Sequence, residues 1–245
     1  MRLSAFFNLI IVIALAISCS SAKKGMKKVN DVADLSGINK KTAITVSNCD
    51  SILKKYTVLF TIPNPLSGDS GETLGRFDPS HGSNILCKAI LLDEYSIEAE
   101  IISKCRADSL SAEKSAEFRN KYISENIKEG MFRIRVEMES GFSEKSMDPK
   151  YWAMYIENTV GVMIEPADIK TSPVVVSKDS VYSEYRKIYF KRKLYKSSIS
   201  LFFKNKTFFG NDILSDKTPF FILVISREQK YLARIAWKLN AEIKK

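Results

Sequence analysis

The sequence predicts a mainly β domain, an antiparallel β-sandwich carrying one helical segment. Three observations predict it. The second half of the chain is a succession of short alternating runs, clearest where Phe132, Ile134, Val136 and Met138 interleave with Arg133, Arg135, Glu137 and Glu139. That is the period of a strand with one core face and one solvated, charged face. Turn signals recur between such runs, as at Asn158–Gly161 and Pro166, the punctuation of sheets built from hairpins. Finally, 45% of the 245 residues are hydrophobic and 27% charged, enough apolar material for a core and too little charge for a disordered chain.

Taken in order, residues 1–18 read as an export signal. Arg2 supplies a positive n-region, and Ala5–Ile17 is an apolar run interrupted only by Asn8. The run is shorter than the roughly 20 residues a membrane-spanning helix needs and fits a signal-peptide h-region. Residues 19–45 are polar and lysine-rich and read as a flexible tether, leaving 46–245 as the extracytoplasmic domain. Tyr56–Ile62, rich in β-branched and aromatic residues and stopped by Pro63 and Pro65, predicts a strand. A long loop follows to Asn84, with Gly68, Gly71, Gly75 and Gly82.

Ile85–Cys105 admits a helix on length alone. Yet Tyr95, Ile97, Ala99 and Ile101 alternate with Ser96, Glu98 and Glu100, which favours two strands with a break near Asp93–Glu94. Ser111–Lys128 is the one predicted helix, with Ser111 as N-cap, Glu113 in the first turn, and Phe118, Tyr122 and Ile123 as its apolar stripe; Gly130 ends it. Strands follow over Phe132–Glu139, Trp152–Ile156, Val162–Ile164, Arg186–Tyr195, Ser198–Phe203, Phe220–Ser226 and Lys230–Leu239. The last places Tyr231, Ala233, Ile235, Trp237 and Leu239 on one face.

Charge narrows the class of partner. The net charge is +10, or +9 once Arg2 leaves with the signal, which favours phospholipid headgroups, lipopolysaccharide or acidic polymers. Nucleic acid fits the charge but is not expected for an exported chain. Leu15-Ala16-Ile17-Ser18-Cys19 resembles a lipobox, with small Ser18 before the cysteine, although Ala16 stands where the family usually has leucine. The resemblance implies a lipid on Cys19, a membrane anchor and a bacterial cell-envelope location. Ordinary cleavage after Ser18 or Ala22 is the alternative and would give a soluble secreted protein. With Cys19 acylated, Cys49, Cys87 and Cys105 remain, which permits one disulfide and a leftover thiol of unreadable pairing. The absence of any Cys-x-x-Cys and the single histidine, His81, argue against zinc; neither metal nor cofactor is predicted.

The run YWAMYIENTVGVMIEPADI at 151–169, the closing ARIAWKL at 233–239 and the preceding SAEFRNKYISENI at 115–127 resemble the immunoglobulin-like extracytoplasmic domain of bacterial envelope lipoproteins. The likeness covers about residues 85–240. It implies an immunoglobulin-like sandwich and brings no catalytic or ligand residues.

Gly68-Asp69-Ser70-Gly71 looks like a serine-hydrolase string, and Asp78-Pro79-Ser80-His81 supplies an Asp-x-x-His. No histidine precedes Ser70, as the trypsin-like order requires, and the esterase order puts its histidine far downstream. A polar loop matching by chance explains both strings, and no catalytic residue is assigned. Asp69, Glu72 and Asp78 are too few oxygens for calcium at a spacing unlike an EF-hand. The best candidate site is the stretch from Arg186 to Lys206. Arg186, Lys187, Lys191, Arg192, Lys193 and Lys196 lie there among Tyr185, Tyr189, Tyr195, Phe202 and Phe203 without one acidic residue. In a strand, Lys191 and Lys193 share a face with Tyr189 and Tyr195, a surface for anions; lysines blunting an edge strand are the plainer reading. The function expected is a non-catalytic, membrane-anchored binding module for an envelope protein or an anionic polymer. A carrier of a hydrophobic ligand, its wall formed by the apolar run Phe220–Ile225, is the rival, and a hydrolase using Ser70 and His81 is the third reading.

Overall fold

The computed structural model describes residues 31–65, 84–141, 143–158, 161–183, 188–206, 210, 212–214, 218–227 and 230–239. In chain order these form β1 (Asp31–Asp34), α1 (Cys49–Tyr56), β2 (Thr57–Pro63), β3 (Asn84–Leu92), α2 (Glu94–Ala107), α3 (Ala112–Asn126), β4 (Met131–Ser140), β5 (Ala153–Glu157), β6 (Met163–Ile164), β7 (Asp168–Thr171), β8 (Val175–Ser183), β9 (Ile188–Lys204), β10 (Phe220–Arg227) and β11 (Lys230–Lys238). The molecule is mainly β, in two sheets. One runs β1-β11-β10-β5-β6 and the other β2-β3-β4-β9-β7, with β8 also paired to β9. All ladders are antiparallel except β1 on β11.

Alternation decides which residues meet between the sheets. Phe132, Ile134, Val136 and Met138 of β4 are buried in one cluster with Phe221, Leu223 and Ile225 of β10 and Ala233, Ile235 and Trp237 of β11. The Phe132 ring lies 5.4 Å from Phe203 and 5.8 Å from Phe221, and Phe221 stacks on Trp237 at 5.4 Å. This aromatic chain crosses from sheet to sheet, and each of its rings buries a large apolar area between them. Trp237 is fully buried, and its indole N–H donates to the Tyr56 carbonyl at 3.0 Å, so its polar atom is satisfied without water.

Three corrections to the sequence reading concern local structure. Residues 94–107 form a helix, so the molecule has three described helices rather than one helical segment. Asp93 caps α2: its carboxylate accepts from the Ser96 N–H at 2.9 Å while the Ser96 hydroxyl accepts from the Asp93 N–H at 2.9 Å, a reciprocal box that satisfies two terminal donors. The alternation misled because Ser96 and Glu100 are buried along with Ile97 and Ile101, an i, i+4 geometry rather than period two. Secondly, folded chain begins inside the stretch read as tether. Asp31–Asp34 adds to the edge of β11, and Ala33 and Leu35 enter the core. Thirdly, the strands expected at Arg186–Tyr195 and Ser198–Phe203 are one strand, β9. The Ser111-capped helix stands as predicted, the Ser111 hydroxyl accepting from the Lys114 N–H at 3.4 Å, and Gly130 turns the chain into β4 at φ +67°.

The outer face of β4 is also corrected. Arg133 is buried and Arg135 nearly so, because α2 and α3 cover that end of the sheet together with Ile90 and Leu92 of β3. Only the far end, Glu137 and Glu139, is solvated charge, paired across the ladders with Lys88 and Lys196 at 2.9 Å each.

Asp93 also accepts from the Tyr56 hydroxyl at 3.2 Å and pairs with Lys40 at 2.8 Å. Replacing Asp93 with Ala is therefore expected to cost about 1–2 kcal/mol, the upper range for a lost N-cap. Asp93→Asn, which keeps the capping oxygen, should retain most of the stability; urea midpoints of the three proteins check this.

Cys49, Cys87 and Cys105 are free thiols in the structure. Burial pushes the Cys87 thiol up to about 12 and raises that of Cys49 as well, which makes both poor nucleophiles at neutral pH. Residues 1–18, Cys19 and the chain to residue 30 lie outside the described residues.

Candidate functional site

β9 is the longest strand, 17 residues, and contains neither glycine nor proline to interrupt it. β4 accompanies it only as far as the rung Ser140–Tyr195. Past that rung, among the described residues, β9 pairs with β8 alone, so the sheet continues as a two-stranded ribbon.

The register sorts the basic residues. On one face the rungs are Val176–Tyr195, Lys178–Lys193, Ser180–Lys191 and Tyr182–Tyr189; on the other they are Val175–Lys196, Ser177–Leu194, Asp179–Arg192 and Val181–Phe190. The first face matches the sequence expectation for Lys191 and Lys193 and adds Lys178 and Tyr182 from β8. Lys178 and Lys193 are exposed, and Tyr189 is 73% exposed.

Arg192 and Lys196 do not join this face. Arg192 holds the position across from Asp179, and Lys196 is paired with Glu139. The period of two thus divides what looked like one patch, with Lys191 and Lys193 at register positions of one face and Arg192 and Lys196 at those of the other. Arg186 and Lys187 lie outside the described residues, as do Asp69, Ser70, Glu72, Asp78 and His81.

Electrostatics give the lysine face its character. Lys178 stands directly opposite Lys193, and like charges at opposite positions destabilise a ladder by some tenths of a kcal/mol up to about 1. No acidic residue occupies any of these four rungs. An anion with several negative groups relieves that repulsion, and the exposed Tyr189 offers flat amphipathic surface on the same face. Lys178 and Tyr182 were legible only in part: Val176, Lys178, Ser180 and Tyr182 alternate with Ser177, Asp179 and Val181, but which rung they meet is a matter of register.

A second polar group lies beneath the helices. Glu100 of α2, buried, accepts from the Tyr122 hydroxyl at 2.7 Å and pairs with Arg135 at 2.8 Å and Lys104 at 3.0 Å. Burial pushes the Glu100 carboxyl up, but Arg135, Lys104 and the Tyr122 hydroxyl outweigh it and hold it at about 2. Burial and the neighbouring carboxylate push the Tyr122 phenol up to about 12. This cluster clamps α2 and α3 to β4; every charged member has its partner, the arrangement of a structural network.

The apolar run Phe220–Ile225 lies in β10, the central strand between β5 and β11. Phe221, Leu223 and Ile225 enter the shared core, and Ile222 and Val224 are buried with Tyr155 and Ala236 on the opposite face. Packing within these two clusters accounts for the burial of the run.

Comparison with known protein families and with curated proteins gives no match for this chain. Among the described residues no helix is long and apolar enough to cross a membrane.

Proposed function

We propose that this chain is a non-catalytic binding module of the bacterial cell envelope, anchored through a lipid on Cys19, which holds an anionic envelope polymer along the lysine–tyrosine face of the β8–β9 ribbon. The observation that carries the reading is the rung Lys178–Lys193, two exposed like charges placed directly opposite. A ladder selected for stability alone avoids such a pair; repeated phosphate or carboxylate groups turn it into an asset. The net charge of +10 supports the same class of partner. The immunoglobulin-like character belongs to this proposal for the face-to-face packing of two mostly antiparallel sheets.

The test is titration with polyglutamate and with phosphatidylglycerol vesicles at two salt concentrations. The triple variant Lys178→Glu, Lys191→Glu and Lys193→Glu is expected to lose at least tenfold in affinity for polyglutamate and most of the salt dependence. Arg192→Glu with Lys196→Glu, on the opposite face, is expected to change affinity less than threefold. Equal losses from both faces, or none from the first, would sink the ribbon as the site. Preference for vesicles over polyglutamate would replace the polymer with a lipid surface. Intact mass of the mature chain tests the anchor separately, by the acyl groups on Cys19.

A further inference from the structure

Hydrogen bonds at the sheet end of β9 fix which way its main chain points. The Ser198 carbonyl accepts from the Ser172 N–H at 2.9 Å, and the Ser198 N–H donates to the Ser172 hydroxyl at 2.8 Å. Residue 198 thus turns both main-chain groups toward the side of β7 and β8. The Phe202 carbonyl, accepting from the Ala167 N–H at 2.7 Å, points the same way, whereas the Asn205 N–H donates at 2.8 Å to the Gly130 carbonyl at the foot of β4. Main-chain groups alternate sides along a strand, so even-numbered residues of β9 face β7 and β8 and odd-numbered ones face β4. Both ladders keep a constant register, from Met131–Lys204 to Ser140–Tyr195 and from Val175–Lys196 to Ser183–Ile188, which carries that parity into the ribbon.

β4 leaves at the rung Ser140–Tyr195 and turns into a short 3-10 segment, Glu144–Met147, whose Met147 is buried in the core. Lys191 and Lys193 therefore direct their N–H and C=O groups to a side where, among the described residues, no strand pairs with them. An open edge of this kind is a template for an added strand. The same two lysines hold register positions on the lysine–tyrosine face. A strand laid antiparallel along the edge, in line with β4, would place its residues opposite Lys191 and Lys193 on that face, about 5.5 Å away between Cα atoms.

Charge selects the strand. No acidic residue occurs from Arg186 to Lys206. Pairing with a second copy about Lys191, Arg192 or Lys193 sets like charges opposite one another, which destabilises a ladder. Acidic side chains at alternate positions reverse the sign at the same rungs.

We infer that the open edge of β9 takes an extended acidic polypeptide as an added antiparallel strand, bonded main chain to main chain at Lys191 and Lys193, with its alternate carboxylates on the lysine–tyrosine face. This rests on the reading of the ribbon as the binding element and narrows its partner to a polypeptide.

Calorimetric titration of the full chain with a capped Glu-Val-Glu-Val-Glu-Val-Glu peptide and two N-methylated forms of it tests the inference. Residues opposite Lys191 and Lys193 in an antiparallel pair exchange both hydrogen bonds with them, so the glutamate N–H groups point into the edge and the valine N–H groups away from it. The valine-methylated peptide is expected to bind within threefold of the unmodified one, and the glutamate-methylated peptide at least tenfold more weakly at equal charge. Lys193→Pro, which removes one N–H from the open side and spares the β8 ladder, is expected to weaken the unmodified peptide tenfold or more, against less than threefold for Lys193→Ala. Should Lys193→Pro fail to fold, the two methylated peptides decide the matter with the wild-type chain. Equal binding of both methylated peptides, each lost in the variant Lys178→Glu, Lys191→Glu and Lys193→Glu, would overturn the added strand and leave the lysine–tyrosine face standing. Weaker binding of the valine-methylated than of the glutamate-methylated peptide would also overturn it. So would no saturable binding of the unmodified peptide, and if polyglutamate also fails to bind, the ribbon reading falls with it.

Discussion

Glu100→Gln is expected to destabilise the domain by about 3–5 kcal/mol, the range seen when one partner of a buried ion pair is removed. The carboxylate holds Arg135, Lys104 and the Tyr122 hydroxyl at once. Its loss leaves the Arg135 guanidinium, itself only 12% exposed, with Glu137 as its one carboxylate. The pH dependence follows from the same contacts. The folded carboxyl titrates at about 2 against an ordinary 4.5, so the unfolded chain takes up the proton first as pH falls. The stabilisation is complete above about 4.5 and is lost on the way down to about 2. Urea midpoints between pH 6 and pH 2.5 should show a steep acid slope in the wild type and a shallower one in Glu100→Gln. Restoration of stability in a Glu100→Leu, Arg135→Met double variant would show that the charge left behind, rather than lost packing, carries the cost. A Glu100→Gln protein as stable as wild type at pH 7 would contradict the network.

Trp237→Ala is the second large effect, about 3–5 kcal/mol from the cavity alone. Trp237 sits at the junction of the two sheets, stacked on Phe221 and donating to Tyr56. Removing it unstacks the aromatic chain to Phe132 and leaves the Tyr56 carbonyl without its donor. Trp237→Phe separates these contributions, since the ring stack survives and only the hydrogen bond goes, for about 1–2 kcal/mol. Leu59, 70% exposed on the outer face of β2, is the control: Leu59→Ala should stay within about 0.5 kcal/mol. Thermal melts and urea midpoints read all three.

What could be read from the residues was whatever a single period encodes. β4 was legible because apolar and charged residues alternate from Phe132 to Glu139, β11 because its large residues Tyr231, Ile235 and Trp237 fall on one face, and the Ser111 helix because cap, first-turn acid and stripe agree. α2 was not, because Ser96 and Glu100 are buried polar residues, and a buried polar residue looks in a sequence like a solvated one. Arg133 and Arg135 misled for the same reason: the outer face of a strand carries no mark of whether water or a helix lies over it. β9 was divided because Lys196 and Ser197 read as a break. They instead mark the place where the strand passes from ribbon to sheet, Lys196 held by Glu139 and the Ser197 hydroxyl by the Ser172 carbonyl at 3.1 Å. Half of the candidate site, Lys191 and Lys193, followed from period two. Lys178 did not, since the register of two distant segments is a property of their pairing and not of either segment.

The unbroken length of β9 has a mechanical side. At about 3.3 Å per residue, its 17 residues form a beam of roughly 55 Å whose inner end is wedged among the aromatic rings. With no glycine or proline to act as a joint, the outer end is a cantilever that carries the line of the sheet beyond its last β4 rung. A pull on its tip is delivered along the backbone to the aromatic cluster of Phe132, Phe203, Phe221 and Trp237.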